Sequence, residues 1–528
     1  MSSDSDAESV VTPDLLPKPK PICAESPFNR ADADVTIRSS NAVDFRVHSN
    51  ILVIASPFFE SMFSFPQPCV STDNLDVVEI TEDSRTLDTI LRICYPVLDP
   101  EINTLGLARS SLQAALKYDM QAAIIFCKRA LQGFIPAEPL RVYAIACLLG
   151  TETGARKAAI EAVSQGAVSG NYIAELEELP AGCYHRLLRY QRHRSLTDIR
   201  FTSPPRIPTE LSGTAREQSV ASSLTPEHNA PHPFDDVDAD TMIVTSDDLH
   251  FHVHGGIVAL ASPVLKDILQ HSSMRSATTI RIDEDSATLT ELLLPCYPFS
   301  RLVKPKIDIL RPVLRAAEKY KMNRVIEFLR ELWTTTLESS PLRAFLLAVS
   351  VEWRDDAEAA AKLLLQQDYT ALEAGYTCDM ETTSAGPYFR LLQYHKRCTE
   401  KGSALVSTKF KWLSSSMRGP ITCGSCKGNY GYDKDASWVA SYVQSITEKL
   451  GANSLTEVLQ DELFLYALGQ KVGECSRCQG RANEILAIHY QFKEVVAQAI
   501  AEVRLSILLL KKFKSNLTAQ VDVKMLFT

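Results

Sequence analysis

The chain has 528 residues, which exceeds the usual size of a single hydrophobic core, so two or three domains are expected. Its hydrophobic fraction of 45% and its charged fraction of 23% are those of an ordinary globular protein. The formal net charge of −9 argues against binding to nucleic acid or to an anionic membrane through net charge, and neither partner is expected.

The N-terminal residues 1–29 predict a disordered arm. They are acidic and serine-rich and then proline-rich, without the basic start and apolar centre of a secretory signal. The most apolar late run, Leu505 to Leu510, is much shorter than the roughly 20 residues that cross a bilayer, so no membrane segment is expected. Most of the 13 cysteines stand singly among apolar residues, as Cys94 and Cys127 do. That pattern favours free thiols in the cytoplasm, the nucleus or both.

The chain contains two copies of one long unit. A shift of 206 residues aligns Asp34–Pro57 with Asp240–Pro263 without a gap, and 10 of the 24 positions are identical. "CYP" and "PLR" recur at a shift of 202, and "YHRLLRY" at Tyr184 later matches "YFRLLQY" at Tyr388. The repeat covers about 160 residues, whereas solenoid repeats cover roughly 20 to 50, so the pattern indicates a duplicated domain.

Both copies predict the same order of elements. Residues 34–49 and 240–255 alternate apolar and polar side chains around a polar turn, which indicates a β-hairpin. A helix is predicted to open at Ser56-Pro57 and at Ser262-Pro263, because serine caps helices and proline suits their first turn. A third short strand ("VVEI"; "TTIRI") and several helices follow, judged from apolar spacings of three and four. The predicted fold is α+β, with a small sheet covered by helices.

Each copy resembles a BTB/POZ domain. The hallmark of that family is Asp-Val, then Phe-x-Val-His, then a helix of the form Leu-x-x-x-Ser-x-x-Phe-x-x-Met-Phe. The first copy matches with Asp34-Val35, "FRVH" and "ILVIASPFFESMF"; the second keeps "FHVH" and "IVALASPVLKDIL" but has Leu265 and Leu269 in place of the late aromatic residues. The doubled arrangement resembles tandem BTB proteins of fungi over about residues 30–195 and 234–400, including a helical extension after each core.

The resemblance implies a structural role for His48 and His254 at the junction between strand and helix. In the second copy, His250, His252 and His254 alternate along one strand and would share one of its faces. Such a face is an alternative metal site, although no acidic fourth ligand is in view.

Two departures from the family pattern bear on function. Asp34 and Asp240 match an aspartate of the charged pocket of POZ transcription repressors, but Ser49 and Gly255 replace its basic partner. Members that recruit cullin-type ubiquitin ligases often carry a hydrophobic-x-Glu element beyond the first helix, and "SFPQPCVST" and "QHSSMRSAT" lack that glutamate. The resemblance therefore implies interaction with proteins, and cullin recruitment stays an alternative.

Between the copies, residues 196–233 predict a flexible linker, because they are rich in Ser, Thr, Pro and Gln and poor in apolar residues. A tether of this kind keeps the two BTB-like units at high effective concentration. BTB domains commonly dimerise, so the expected partners are other proteins and the protein itself, either as a pseudo-dimer of the two copies in one chain or as a homo-oligomer.

The region beyond residue 400 has no counterpart after the first copy. It contains "CGSC" (Cys423, Cys426) and "CSRC" (Cys475, Cys478), with 48 residues between the pairs. Two Cys-x-x-Cys pairs can present four thiolates to one ion, so these residues are the candidate ligands of one structural zinc. The long separation leaves two alternatives open, cysteines without a metal and a dithiol with redox activity.

An amphipathic helix is predicted after the second cysteine pair, since Ile485, Ile488, Phe492, Val496 and further apolar residues to Val503 follow helical spacing. It is expected to pack against the domain, with a partner-binding or self-associating helix as the alternative. His489 is expected at the surface, or else as an alternate zinc ligand.

The sequence thus predicts a non-catalytic scaffold for protein–protein interaction. The alternatives are a substrate adaptor of a cullin-type ubiquitin ligase, a zinc-binding transcription or chromatin regulator and, least favoured, a Cys-x-x-Cys dithiol oxidoreductase. No catalytic residue or organic cofactor is predicted. The predicted segments are an arm (1–29), a first BTB-like domain (30–132), its helical extension (133–195), a linker (196–233), a second BTB-like domain (234–334), its extension (335–402) and an α-rich cysteine-pair region (403–528).

Overall fold

The chain divides into two compact units, Met1–Ser169 and Gly170–Thr528. The division falls inside the first predicted extension (133–195), so the end of that extension belongs to the second unit. The computed structural model describes residues 21–64, 76–197, 199–204, 230, 232–236, 238–272, 278–297, 309–407, 421–426, 436, 438–439, 442–444, 446, 469–470 and 472–503.

The described part of the first unit combines short strands with helices of two to four turns. In chain order these are β1 (Ile22–Cys23), β2 (Val35–Arg38), β3 (Val43–Val47), α1 (Ser49–Ala55), α2 (Pro57–Ser64), β4 (Asp76–Glu79), α3 (Ser84–Cys94), α4 (Leu105–Lys117), α5 (Gln121–Gly133), α6 (Pro139–Leu148) and α7 (Glu152–Ser164).

The described part of the second unit repeats this order and adds helices at both ends. Its elements are a 3₁₀ helix (Ala174–Glu177), α8 (Ala181–His193), β5 (Thr241–Val244), β6 (His250–Val253), α9 (Gly255–Ala261), α10 (Pro263–Ser272), β7 (Thr278–Arg281), α11 (Ser286–Leu293), a 3₁₀ helix (Leu294–Cys296), α12 (Leu310–Lys319), α13 (Asn323–Ser339), α14 (Pro341–Ser350), α15 (Arg354–Leu364), α16 (Tyr369–Ala374), a 3₁₀ helix (Cys378–Glu381), α17 (Ala385–Ser407), α18 (Ser476–Gln479) and α19 (Ala482–Ala501). Within the described residues, every helix is too short or too polar to cross a membrane.

Each unit has a small sheet built on the predicted hairpin. In the first unit, β2 and β3 are antiparallel with Ile37 opposite Phe45, and β4 lies parallel to β2 on its other side. In the second unit, β5, β6 and β7 repeat this pairing with Ile243 opposite Phe251. These four side chains are buried, because alternate residues of each strand point to the helix-covered face. The predicted α+β fold with two small sheets is confirmed.

A buried serine divides the helix region after each hairpin into two helices. Ser56 is extended between α1 and α2; its hydroxyl donates to the carbonyl oxygen of Tyr118 (2.5 Å) and accepts from the N–H of Phe59 (3.2 Å). Ser262 makes the equivalent bond to the carbonyl of Tyr320 (2.6 Å). The predicted helix starts at Pro57 and Pro263 are thus observed, and a further short helix precedes each.

The stretch "AALKYDMQAAIIFCKRAL" forms the end of α4 and most of α5. Asp119 divides the two helices because its φ of 50° lies in the left-handed region, and Lys321 takes the same conformation (φ 54°) between α12 and α13. Tyr118 and Tyr320, whose carbonyls accept from the buried serines, directly precede Asp119 and Lys321. The serine and this turn therefore recur together in both copies.

Packed residues extend into the predicted arm and linker. Phe28, within the predicted arm, is fully buried, with its ring centroid 5.6 Å from that of Phe45. Ile199 and Phe201, within the predicted linker, are buried, and the ring of Phe201 lies 5.8 Å from that of Tyr190. The predicted boundaries at 29 and 196 therefore cut through packed structure. Most of the predicted linker, 205–229, lies outside the described residues.

We expect Ser56→Ala and Ser262→Ala each to destabilise their own unit by about 1–3 kcal/mol. Each change removes a helix cap and leaves a buried carbonyl without its donor. Hydrogen–deuterium exchange should show faster exchange in α2 for the first variant and in α10 for the second. Ser164→Ala, at an exposed position on α7, is the control and should leave exchange unchanged.

Candidate functional sites

His48 and His254 tie the end of a strand to a tyrosine. The backbone N–H of His48 donates to the hydroxyl of Tyr95 (2.8 Å), and that of His254 donates to the hydroxyl of Tyr297 (3.2 Å). The ring of His254 lies beside a carboxylate, with 3.1 Å between Nε2 and Asp236. Both tyrosines belong to the repeated "CYP" motif, so this geometry fits the structural role predicted for the histidines.

The aspartates of the hallmark bind the residues that follow the histidines. The N–H of Ser49 donates to Asp34 (2.7 Å), as does its hydroxyl, and the N–H of Gly255 donates to Asp240 (2.6 Å). Burial acts to raise the pKa of Asp34, but the two bonds from Ser49 lower it below its usual value. Ser49 and Gly255, which replace the basic partner, therefore donate hydrogen bonds to the two aspartates.

The four predicted cysteine ligands come together. The Sγ atoms of Cys423, Cys426, Cys475 and Cys478 all lie within 4.8 Å of one another, with 3.9 Å between Cys423 and Cys475 and 3.4 Å between Cys426 and Cys478. A disulfide would need roughly 2.05 Å. Four sulfurs around one zinc stand about 3.8 Å apart, given Zn–S bonds of about 2.3 Å in a tetrahedron. The donor set and its spacing therefore fit a structural zinc.

Two short segments hold these sulfurs. Residues 421–426 carry the first pair, and the N–H of Ser425 points to the Sγ of Cys423 (3.4 Å). Cys475 is the cap of α18, and Cys478 lies within that helix. Backbone N–H groups of Cys426 and Ser425 lower the pKa of Cys423 to about 6, while burial raises the pKa of Cys478. A zinc ion binds thiolate, so the lowered pKa favours the ligand form of Cys423.

The amphipathic helix α19 packs against α17. Its buried face contains Ile485, Ile488 and Phe492 as predicted. His489 is fully buried in the same face, with Nδ1 3.5 Å from the hydroxyl of Tyr442. The prediction that His489 lies at the surface is therefore wrong, and its ring stands outside the group of four sulfurs.

Among the residues that the structure describes, only the four cysteines form a group of three or more Cys, His, Asp or Glu side chains close enough to share one ion. His250, His252 and His254 do not form such a group with one another or with an acidic residue.

The ends of the two extensions pair with each other through their backbones. Pro180 lies opposite Ser384 in an antiparallel bridge, flanked by a bond from the N–H of Ala181 to the carbonyl of Thr383 (2.8 Å). The matching bond runs from the N–H of Ala385 to the carbonyl of Leu179 (2.7 Å). Every residue here has its equivalent 204 positions away, so a pseudo-twofold axis relates the two sides.

Two ion pairs repeat this symmetry. Arg186 on α8 binds Glu381 with both terminal nitrogens (2.5 and 3.2 Å), and Arg390 on α17 binds Glu177 in the same way. Burial alone would lower the pKa of Arg186, but the bonds that it donates to Glu381 raise it, so this pair is charged at neutral pH. All four side chains are mostly buried.

A glycine lies under each carboxylate. A Cβ on Gly182 would stand 2.1 Å from Glu381, and a Cβ on Gly386 would stand 2.1 Å from Glu177. Since real contacts of a Cβ are never this short, any side chain at these positions would displace the carboxylate from its arginine. The close approach of each glutamate thus requires glycine.

Aromatic rings fill the space around the axis. Tyr184 meets Tyr388 edge to face, with 6.4 Å between ring centroids. On one side His185 packs against Tyr376 (5.6 Å), and on the other side the equivalent Phe389 packs against Tyr172 (6.0 Å). We call these contacts between 172–186 and 376–390 the extension interface.

Comparison with known families identifies the two cores. The BTB/POZ domain model matches residues 25–134 and 235–337. The chain contains two BTB/POZ domains in tandem. These matches contain both hairpins, both histidine junctions and both buried serines, whereas the extension interface and the four cysteines lie outside them. A search of curated proteins finds no significant match.

BTB/POZ domains are modules of protein–protein interaction and are generally not enzymes, so the coarse prediction of an interaction protein is confirmed. The pseudo-dimer of the two BTB domains stays a prediction, and the contacts that the structure shows join the extensions that follow them. The residues of these contacts were not predicted individually. The signal was present, since Glu, Ala-Gly, Tyr and Arg-Leu-Leu recur together at a spacing of 204 in "ELEELPAGCYHRLL" and "CDMETTSAGPYFRLL".

One buried histidine should make the extension interface sensitive to pH. Burial lowers the pKa of His185 most, a bond from Nε2 to the carbonyl of Ala374 (3.3 Å) opposes this, and Arg186, Arg189 and Arg192 lower it further. In the unfolded chain the imidazole gains a proton below about pH 6.5, whereas the buried ring resists protonation. The contribution of His185 to the free energy of unfolding should therefore be complete above that pH and fall as the pH decreases.

We expect His185→Phe to reduce this acid-induced loss, because the equivalent position already accommodates Phe389. Urea unfolding followed by tryptophan fluorescence at about pH 7.5 and about pH 5.5 measures it. All four tryptophans lie in the second unit, so the signal reports on that unit alone. His193→Phe, at an exposed position, should keep the wild-type response. Equal losses for wild type and His185→Phe would contradict the role of His185.

Proposed function

We propose that this protein is a non-catalytic scaffold that brings together partners bound by its two BTB/POZ domains. The observation that carries the proposal is the pair of BTB/POZ matches in one chain. The extension interface supports it, because it joins the segment that follows the first domain to the segment that follows the second. Two binding modules linked in this way act at high effective concentration toward partners that themselves interact.

Each BTB domain presents an exposed aliphatic side chain at an equivalent position. Ile54 at the end of α1 is 87% exposed, and Leu260, 206 residues later on α9, is 90% exposed. A single exposed apolar side chain is ordinary on a protein surface, but here the exposure recurs at the same position of both copies. We infer that these two positions contribute to partner binding on their respective domains.

Affinity purification with Ile54→Glu and Leu260→Glu chains tests the scaffold. We expect each variant to lose at least 10-fold in recovery of one set of partners and to retain the other set, because a buried carboxylate lacks a counter-charge at an apolar contact. Ile160→Glu on α7, outside the matched domains, is the control and should retain both sets.

The composition of the recovered proteins separates the scaffold from the alternatives. A cullin recovered by wild type and lost with one of the two variants would favour the ubiquitin-ligase adaptor. Recovery of DNA in a salt-sensitive manner would favour a chromatin or transcription regulator. Identical losses from both variants would contradict a scaffold with two separate binding surfaces.

We infer further that Cys423, Cys426, Cys475 and Cys478 bind one structural zinc ion. The spacing of the four sulfurs supports this inference. When bound, the ion would join residues 421–426 to α18 and so fix the start of α19. A structural site of four cysteines has no open coordination position for a substrate.

Metal analysis of the purified chain should give about one zinc per chain, and each Cys→Ser change at the four positions should remove it. His489→Gln, a change in the same apolar region but outside the four sulfurs, should retain the zinc. Limited proteolysis should cleave residues 421–503 faster in the serine variants. Metal-free protein that resists proteolysis and reduces a disulfide substrate would instead support the dithiol oxidoreductase.

A further inference from the structure

The extension interface is isologous, meaning that both sides use the same surface. Glu177 of the first extension binds Arg390, and Arg186 of the first extension binds Glu381. Each extension therefore carries one glutamate and one arginine. The glutamate of one extension binds the arginine of the other across the axis. The backbone bonds and the glycines follow the same rule. Interfaces of this kind normally join two copies of one protein.

Some contacts favour the pairing of the first extension with the second. Arg192 binds Glu373. At a spacing of 204, the counterparts of these residues are Lys396 and Ser169. Pairing two first extensions would place Arg192 opposite a serine, whereas pairing two second extensions would place Lys396 opposite Glu373. We call the pairing of the first extension with the second the mixed pairing. It also lets the hydroxyl of Ser203 donate a hydrogen bond to Glu381 (2.6 Å).

We propose that the extension interface is a docking surface for a second copy of this chain. Each extension can accept the extension of another chain through the same two ion pairs, glycines and antiparallel bridge. In dilute solution the partner in the same chain occupies the surface, because a tether gives effective concentrations of about millimolar. The second chain binds when the partner in the same chain is unfavourable or displaced. This proposal is independent of which partners the BTB domains bind.

Reversing the charges of one extension tests the proposal in the full chain. In Glu381→Arg/Arg390→Glu, the mixed pairing brings Arg186 against an arginine and Glu177 against a glutamate. Pairing between two first extensions keeps the natural ion pairs, and pairing between two second extensions forms reversed ones. Like charges at close range disfavour the mixed pairing and do not weaken the pairing of two first extensions or of two second extensions.

We expect the double variant to sediment as a dimer of twice 58.5 kDa at concentrations where wild type sediments as a 58.5 kDa monomer. The matched control reverses both extensions, Glu177→Arg/Arg186→Glu/Glu381→Arg/Arg390→Glu. It restores every ion pair of the mixed arrangement and should return to a monomer.

A cysteine at the axis reports which extensions meet. Pro180 and Ser384 lie opposite each other between flanking backbone bonds, where Cα atoms stand about 4.5 Å apart, a distance that a disulfide can span. Oxidation should link Ser384→Cys chains into covalent dimers in the charge-reversed background and leave Ser384→Cys alone uncrosslinked. Pro180→Cys/Ser384→Cys should instead crosslink within one chain of otherwise wild-type sequence.

The proposal is overturned if the double variant is a folded monomer, or if its second unit unfolds while the fourfold control is folded. If the fourfold control also fails to fold, Pro180→Cys/Ser384→Cys decides the matter. That chain is unfolded, refolded at increasing concentration and oxidised. A fraction of covalent dimer that rises with concentration supports exchange of extensions between chains, and crosslinked monomer at every concentration overturns it.

Discussion

A glutamate carboxylate fits against the start of α8 only because Gly182 has no side chain, and the same holds for Gly386 at the start of α17. Each carboxylate then reaches an arginine one turn further along the helix. The two backbone segments can then approach closely enough to form the antiparallel bridge, and Tyr184 packs against Tyr388 at the axis. The contact between the two extensions, which lies within the second unit, thus depends on the absence of a side chain at these two positions.

The extension interface is stabilised by ion pairs whose charged groups are hydrogen-bonded and mostly buried. Hydrogen bonds to charged groups contribute about 1.5–3 kcal/mol each when both partners are well placed, and an unpaired charge left behind costs at least as much. Glu381 accepts from Arg186, Ser203 and Tyr376, and these bonds lower its pKa although burial acts to raise it. An extension without its partner would expose apolar rings and leave charges unpaired.

The cores and the cysteine cluster could be predicted from sequence, because their signals are local or recur as fixed motifs. Alternation defines the hairpins, and two Cys-x-x-Cys pairs define the group of four sulfurs. Positions that depend on distant partners were harder to interpret. The role of Ser56 requires the carbonyl of Tyr118, 62 residues away. His489 lies four residues after Ile485 and three before Phe492, so it shares their apolar face and is buried with them. The meaning of Gly182 requires Glu381, across the axis.

Duplication within one chain changes how the paired surface can evolve. In a symmetric dimer of separate chains, one substitution appears on both sides of the axis, so any loss occurs twice. In this chain a substitution alters one side only, and the other side keeps its original residue. The difference between His185 and Phe389, which lie at equivalent positions against equivalent tyrosines, has this form. Fusion of the two copies thereby allows each to acquire its own chemistry without breaking the pair.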